Sequence, residues 1–543
     1  MNPSGHFGGL AEIGGAPIII VEGEQNKSRL TGLEARKANI QACLDVANMI
    51  KTSFGPRGLD KIITTKDGDL VVSNDGAIIL KHLPISHECA KLFVDLSRSQ
   101  DMQIGDGTTG IVILAGALLE QALELLDMKI HPIKIADGFD FAATVAIDWL
   151  HAHHAAVELA SETQLLQVAK TSLCSKIISA KADLFADMCV RAVLGVADVA
   201  RRDCCLDLIS VECKPGGSLE ESLMVNGIAL DKEFSHSQMP KTVNDARIAL
   251  LCCPFEPPKP KTKHKLEISS AAAYDALAEQ EAAYFSNMVQ RVAESGATVV
   301  ICQWGFDDEA NHLLLKAGIP AVRWVSGKEL EMISLATGAQ LVARFEDLSA
   351  ERLGRAQTVR EVSVGTEDQR MVLIEGCPTQ KAVSILICGS NRSVADEAKR
   401  SVHDAICTVR NLVVNPAVVP GGCASEIACS LAVSAAVPSQ VSHRQFAVQA
   451  FADALLKLPQ QLAANAGFQG FQVATAARAA QLQLQDSSIG IDCSSGEPRS
   501  MSAAGVFESL DSKVHQILLA TQIVKMVLRI DDVIECDKSQ QLR

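Results

Sequence analysis

Aromatic side chains are scarce in this sequence, with three tryptophans, two tyrosines and 4% aromatic residues among 543. Rings carry much of the packing in many cores, so here the interior must be built mainly from aliphatic residues within a hydrophobic share of 48%. Positive charge is short as well. The formal net charge is −14, which argues against a general nucleic-acid binder. Charged residues at 21% fit a soluble globular protein. Cysteine is plentiful at 17, but no C-x-x-C pair occurs, and only Cys204-Cys205 and Cys252-Cys253 are adjacent. Metal sites and disulfide frameworks show tighter patterns, so the cysteines read as small buried residues of a reducing compartment. The start, MNPSGHFGGLAEIGG, lacks a basic segment followed by an apolar one, and no signal peptide is expected. GIVILAGALL is too short to span a bilayer and is closed by Glu120, while IACSLAVSAAVPSQVS is polar and holds Pro438. No membrane span is expected, and the location is read as cytoplasmic.

The chain is far longer than one hydrophobic core serves, so several domains are expected. From about Ser28 to Leu150 the pattern is helical, broken by KIITTKDGDLVV, where Asp67-Gly68 marks a hairpin. Helical texture continues to about Val211. From Glu212 to about Arg370, short β-type runs (ARIALLCC, ATVVICQ, PAVRWV) alternate with helical ones, which indicates an α/β unit. Within it PFEPPKPKTKHKLEISS is proline-rich, with Lys259, Lys261, Lys263 and Lys265 alternating, and reads as a solvated protruding loop or a partner-contacting tip. After one strand, AVSILICGS, the chain is helical to its end. Helical texture at both ends with α/β texture between suggests one domain split by an insertion.

One more absence is informative. GDGTTG, Gly105 to Gly110, opens a long apolar segment as phosphate loops do, yet no lysine follows as a Walker loop requires. The physics of anion binding survives without it. Free N–H groups and the dipole at a helix start favour phosphate, Gly105 and Gly107 let backbone approach closely, and Thr108 and Thr109 can cap the helix or bond phosphate oxygens. Asp106 would repel phosphate alone and makes sense with a cation between them, Mg²⁺ being suited to one or two carboxylates plus phosphate oxygens. A plain N-cap turn with a solubilising aspartate explains the six residues equally well. Two further turns strengthen the nucleotide reading: GPRGLDK, with Gly55, Pro56, Gly58 and Asp60, and NDGAIIL, with Asn74, Asp75 and Gly76. The three turns can converge on one phosphate group, with Asp60 and Asp75 positioning water or metal.

In this order, GPRGLDK, NDGAIIL and GDGTTGIVILAGALL resemble the nucleotide site of the group II chaperonins. RSVHDAICTVRN, PGGCASE, IGIDC and ATQIVKMVLRIDDVI follow as in that family, so the resemblance runs from about Ser28 to Val533. In the variable middle, FSHSQMPKTVNDARIALLCCPFEPPKPKTKHKLEISS and ICQWGFDDEANHLLL resemble one particular subunit type of the eukaryotic cytosolic chaperonin. The resemblance implies a multidomain α and α/β fold. A mostly helical equatorial domain is built from both chain ends (1–150 and 405–543), with a small intermediate domain (151–216 and 371–404) and an α/β apical domain with a helical, lid-forming protrusion (217–370). It implies an ATP hydrolase coupled to protein folding, with ATP and Mg²⁺ as cofactors. The partners it implies are other subunits in a stacked double ring and non-native proteins such as actin and tubulin, with neither nucleic acid nor membrane.

Residue by residue, the resemblance assigns Asp106 as the metal ligand and Gly55, Pro56, Gly107, Thr108 and Thr109 as phosphate contacts. Gly422 falls near the ribose, and Asp492 and Glu508 on the base and ribose side. Asp404 is assigned to activate the attacking water, with Asp60 as a second acid beside it, and Ser175 and Lys176 to sense the terminal phosphate. From its own helix pattern Asp404 reads differently, as a solvated residue off the apolar face of Val402, Ala405, Ile406, Val409 and Leu412. The chain departs from the family at Cys423, Cys388 and Ala464; the first places a sulfur where the nucleotide would lie. Two rival readings follow, a catalytically weakened scaffold subunit of the same ring and a Mg-ATP-dependent metabolic enzyme.

Overall fold

A computed structural model describes residues 11–13, 16–18 and 32–531, apart from 66, 67, 69, 160, 257–261, 263–267, 269, 366–368, 380 and 442. Lys259, Lys261, Lys263 and Lys265 of the basic loop lie outside the described residues. Apolar side chains gather into three large cores. The first draws on both ends of the chain, from Ile40 to Leu150 and from Ala417 to Leu528. The second holds Val157 to Ile209 and Val383 to Val418. The third spans Ile228 to Ala382.

At the centre of the first core lies the helix Thr108–Asp127, buried on nearly every side as its continuous apolar sequence requires. The helix extends past Glu120, which closes only the uninterrupted apolar run. Glu120 is tolerated because it reaches the core's edge, where Lys457 lies 3.5 Å away, and the helix runs on to Asp127. Among the described residues this is the one helix long and apolar enough to cross a membrane, and 72% of its apolar window is buried inside the protein. Close packing replaces large rings here: a Cβ on Gly116 would stand 2.6 Å from the Cβ of Ala47 on the helix Leu33–Ile50. The expected hairpin is present, with Lys61–Thr64 antiparallel to Leu70–Ser73.

The second core is covered by the helices Glu162–Leu173, Ala182–Val196 and Arg392–Val414. They pack on a three-stranded sheet in which Val383–Gly389 lies between Ile209–Pro215 and Leu223–Val225. The third core encloses a seven-stranded mixed sheet. Thr242–Leu251, Val299–Cys302, Ala321–Val322 and Leu341–Val342 are its parallel strands, the first three falling on the β-type runs. Gly354–Val364, Gln369–Glu375 and Gly227–Leu230 extend it antiparallel. The helix Ala271–Glu294 packs here through Phe285, Met288, Val289 and Val292 of its second half, while Tyr274, Leu277 and Tyr284 are exposed.

Strand pairing shifts the expected divisions. Leu223–Val225 belongs to the middle sheet, so the change of sheet falls near residue 226 rather than at 217. Gln369–Glu375 continues through position 370 without a break, and Ala382 still packs in the third core. The division expected at 404/405 falls inside the unbroken helix Arg392–Val414, whose Ala405, Ile406, Val409, Leu412 and Val413 all pack in the second core. Texture changes gradually along a sequence, whereas hydrogen-bonded register changes at one residue.

Gly116→Val should wedge apart the two central helices and destabilise the protein by about 1–3 kcal/mol, measured as a lower Tm and a lower denaturant midpoint with an unchanged m-value.

Candidate functional site

A cavity of about 490 Å³ opens between the first and second cores, within the range of small-molecule clefts. Three glycine turns reach it. Gly105 and Gly107 both have φ near +77°, and Gly107 sits at the start of the helix Thr108–Asp127. A Cβ on Gly107 would lie 2.1 Å from the Gln516 amide nitrogen, so the position requires glycine for space as well as for conformation. The first-turn N–H groups of this helix have no partner within the helix, and Thr108, Thr109 and Gly110 all line the cavity. The threonines do not cap the helix. Thr108 Oγ1 instead donates to Asp75 Oδ1 at 2.7 Å, and Asp75 itself caps Gly76–His82 by accepting from Ala77 N. Gly55 and Pro56 enter from the second turn, and Gly422 and Cys423 from the third.

Acidic groups also line the cavity. Asp106 Oδ1 accepts from Gly107 N at 2.7 Å, and Thr408 Oγ1 lies 3.5 Å from Asp106 Oδ2, although the two residues are 302 positions apart. Asp404 stands one turn before Thr408, its side chain 13% exposed, and accepts from Lys176 Nζ at 2.8 Å. The side of its helix that looked solvated faces this cavity. Burial pushes the Asp404 carboxyl up to about 8; Lys176 opposes the shift and Asp75 and Asp106 add to it. Burial also raises the Asp106 carboxyl. For Lys176, burial would lower the ammonium, but Asp404, Asp75 and Glu397 outweigh it and hold the group above the usual lysine value. Of the Asp75, Asp106 and Asp404 carboxyl groups, Asp404 alone has a direct ion pair among the described residues, with Lys176, while Lys176 and Lys513 act on Asp106 only at longer range. A cation beside Asp106 would relieve the remaining excess. No cluster of three metal-ligating side chains exists among the described residues, so a cation here would need oxygen ligands from a bound anion, which suits Mg²⁺ with phosphate.

Of the residues assigned by resemblance, Gly55, Pro56, Asp106, Gly107, Thr108, Thr109, Ser175, Lys176, Asp404, Gly422, Asp492 and Glu508 all line the cavity. Asp60 does not. Gly58 N closes the turn onto Gly55 O, Leu59 N bonds Thr52 O, and the chain leaves for the hairpin with Asp60 exposed. Asp75, singled out beside Asp60 in the sequence, takes the second acidic place. Asp492 is held below the usual carboxylate range, first by the Ser494 N–H and then by Arg499. Cys388 lies buried in the middle sheet, where its N–H donates to Ser222 Oγ, and Ala464 is exposed; neither lines the cavity. Cys423 does, and it adopts φ +59°, a left-handed conformation that costs a non-glycine residue on the order of 1–3 kcal/mol. Residues that pattern reading missed include Thr408, Lys513 and Gln516, which sit on ordinary amphipathic helices with no local motif.

The sequence from 46 to 538 matches the model of the TCP-1/cpn60 chaperonin family. The chain is 45% identical over 512 residues to T-complex protein 1 subunit epsilon of Encephalitozoon cuniculi, covering 94% of this chain and 96% of that protein. It is 39% identical to thermosome subunit alpha of Archaeoglobus fulgidus (97% and 96% covered) and 38% identical to a thermosome subunit of Methanocaldococcus jannaschii (96% of each).

The Asp404 shift has a thermodynamic sign. Its folded value near 8 lies above the ordinary carboxylate value of about 3.9. The stability it contributes is whole below about pH 4 and is lost as pH rises through about 8. Asp404→Asn removes that loss, so between pH 5 and 9 the wild-type Tm should fall more steeply than the variant's. Parallel slopes in differential scanning calorimetry would contradict the assignment.

Proposed function

Because this chain belongs to the TCP-1/cpn60 chaperonin family, we propose that it is one subunit, of the epsilon type, of a hetero-oligomeric double ring that uses ATP hydrolysis to enclose and fold non-native proteins. The observation that carries the catalytic part is the meeting of Asp106 and Asp404 in one cavity, supplied by two cores that the chain joins only at a distance. The epsilon relative and the thermosome subunits are subunits by name, and this supports assembly with other chains.

The N–H groups of Thr108, Thr109 and Gly110 would face the phosphates, with Gly55 and Pro56 from the second turn. Asp106 would hold Mg²⁺, and the chemistry that ion would supply is neutralisation of the phosphate charge. Asp404 orients the attacking water and accepts its proton, a role that a carboxyl lifted toward neutral pH performs well. Asp75 fixes Thr108, and Lys176 balances Asp404 and reads the terminal phosphate beside Ser175. Asp492 and Glu508 serve the base and ribose side, near Gly422.

The first core is assigned as the equatorial domain, the second as the intermediate and the third as the apical. Asp404 and Lys176 stand on the intermediate part, so nucleotide binding couples to its position by favouring the state in which these groups meet the phosphates. The exposed first half of the helix Ala271–Glu294 fits a projecting lid segment. Actin and tubulin are the clients the family reading suggests, and the free thiols among the described residues fit a reducing cytosol.

In rings assembled with Asp404→Ala in this subunit, its share of phosphate release should fall by at least about 100-fold, with nucleotide still bound. Asp106→Asn should abolish the dependence of that binding on Mg²⁺. Turnover unchanged by Asp404→Ala, or a native mass of a single chain, would overturn the reading.

A further inference from the structure

We propose that Glu397 is a positioning residue for hydrolysis: its hydrogen bond with Ser73 latches the start of the helix Arg392–Val414 to the first core and so holds Asp404, two turns further on, in the cavity wall. The inference rests on the reading above that Asp404 activates the attacking water. On this helix Glu397, Ser401, Asp404, Thr408 and Asn411 follow at spacings of four, three, four and three, which places them along one face. Glu397, Ser401, Thr408 and Asn411 are all buried. A stripe of enclosed polar groups thus runs beside the apolar stripe that packs in the second core. Three of its members reach across to the first core: Glu397 to Ser73, Thr408 to Asp106 and Asn411 to the Ile104 carbonyl. Glu397 does not line the cavity, so it can act on the site only through its helix.

The two ends of this seam are held differently. Near the C-terminal end, Asn411 Nδ2 donates to Ile104 O at 2.9 Å and Arg410 Nη2 to Gln103 O at 2.8 Å. Both acceptors are backbone carbonyls of the chain entering the phosphate loop. A Cβ on Gly105 would stand 2.4 Å from the Cβ of Cys407, so helix and loop are in close contact there. Near the other end the link is one hydroxyl. Ser73 Oγ donates to Glu397 Oε1 at 3.2 Å and accepts from Asp75 N at 3.1 Å. Asp75 in turn accepts from Thr108 at the head of the phosphate-loop helix. Ser73 is fully enclosed, so both of its bonds are made away from water. Arg400 pairs with the second oxygen of Glu397 and keeps it charged against the burial that raises its carboxyl.

The C-terminal end is therefore a pivot and the Ser73 bond a latch. From Asn411 back to Glu397 the helix rises about 21 Å, with Asp404 halfway. A turn of about 10° about the pivot would carry Asp404 roughly 2 Å and Glu397 roughly 4 Å. The second displacement breaks the hydrogen bond, and the first removes Asp404 from the attacking water. A polar seam parts without exposing apolar surface, so the latch rather than the packing sets the position of the helix.

The test follows single-turnover phosphate release from Mg-ATP by rings that carry the variant in this subunit, after subtraction of the release by Asp404→Ala rings, with Mg-ATP affinity measured alongside. Glu397→Ala and Ser73→Ala should each slow release by about tenfold or more while affinity stays within about twofold, the split expected when only the reacting geometry is lost. Glu397→Gln, which keeps an oxygen for Ser73, should restore the rate to within about threefold of wild type. The double variant Ser73→Ala/Glu397→Ala should be no slower than the slower single one, because both changes remove the same bond. If Glu397→Ala does not enter rings, Glu397→Met/Arg400→Met removes the ion pair as a unit and should show the same loss. Additive losses in the double variant would mean that Ser73 acts through Asp75 alone, and they overturn the latch. Release at the wild-type rate from assembled single variants overturns it too, as does a loss of affinity equal to the loss of rate. Asp404→Ala rings that release phosphate as fast as wild type overturn the assignment of Asp404 itself.

Discussion

A cluster of buried carboxyl groups with few cations beside it is the constraint on which the functional part of this molecule depends. Asp75, Asp106 and Asp404 are brought out of water into one cavity, with Lys176 paired to Asp404 and Lys513 acting on Asp106 from farther off. Burying a charge without a partner is costly, so the arrangement persists only because the rest of the fold holds it. Thr108 bonds Asp75, Gly107 bonds Asp106, and Thr408 lies over Asp106 while bonding the Asp404 backbone. Under the proposed function, a triphosphate with a divalent cation would relieve this crowding, and its binding energy would help to hold the two cores together at this seam.

Much of this was legible in the sequence, for identifiable reasons. The helix Thr108–Asp127 announces itself because every face is apolar, and only a helix inside a core can be so. The glycine turns announce themselves because their φ values admit little else. Asp404 did not. Its helix has the amphipathic pattern of a surface helix, and pattern cannot distinguish a polar face turned to solvent from one turned to a cavity lined by another core. Lys513 and Gln516 share that ambiguity. Asp60 misled in the opposite way, since proximity in the chain to a glycine turn placed it near the site while the hairpin that follows carries it outside.

Domain limits were the least legible part. The helix Arg392–Val414 carries Glu397, Asp404 and Thr408 on one rigid rod. Glu397, near its start, accepts from Ser73 and pairs with Arg400, and Asn74 beside Ser73 donates to the Ser175 carbonyl. The hairpin of the first core is therefore bonded directly to both segments that bring catalytic groups from the second. The division that the resemblance implies at 404/405 cuts this rod in two, whereas in the fold it runs unbroken; under the proposed function it would be the lever between nucleotide and the remainder of the subunit.

The first core also has a consequence for how the chain is made. Its central helix Thr108–Asp127 packs against Leu510–Arg529, which is translated about 400 residues later. At ribosomal rates of about 5–20 residues per second the delay is roughly 20–80 s. Through that interval the most apolar helix of the molecule stands without its native cover on one side, while the middle core and the mixed sheet can close on themselves. The first core is therefore completed only after Leu510–Arg529 has been made.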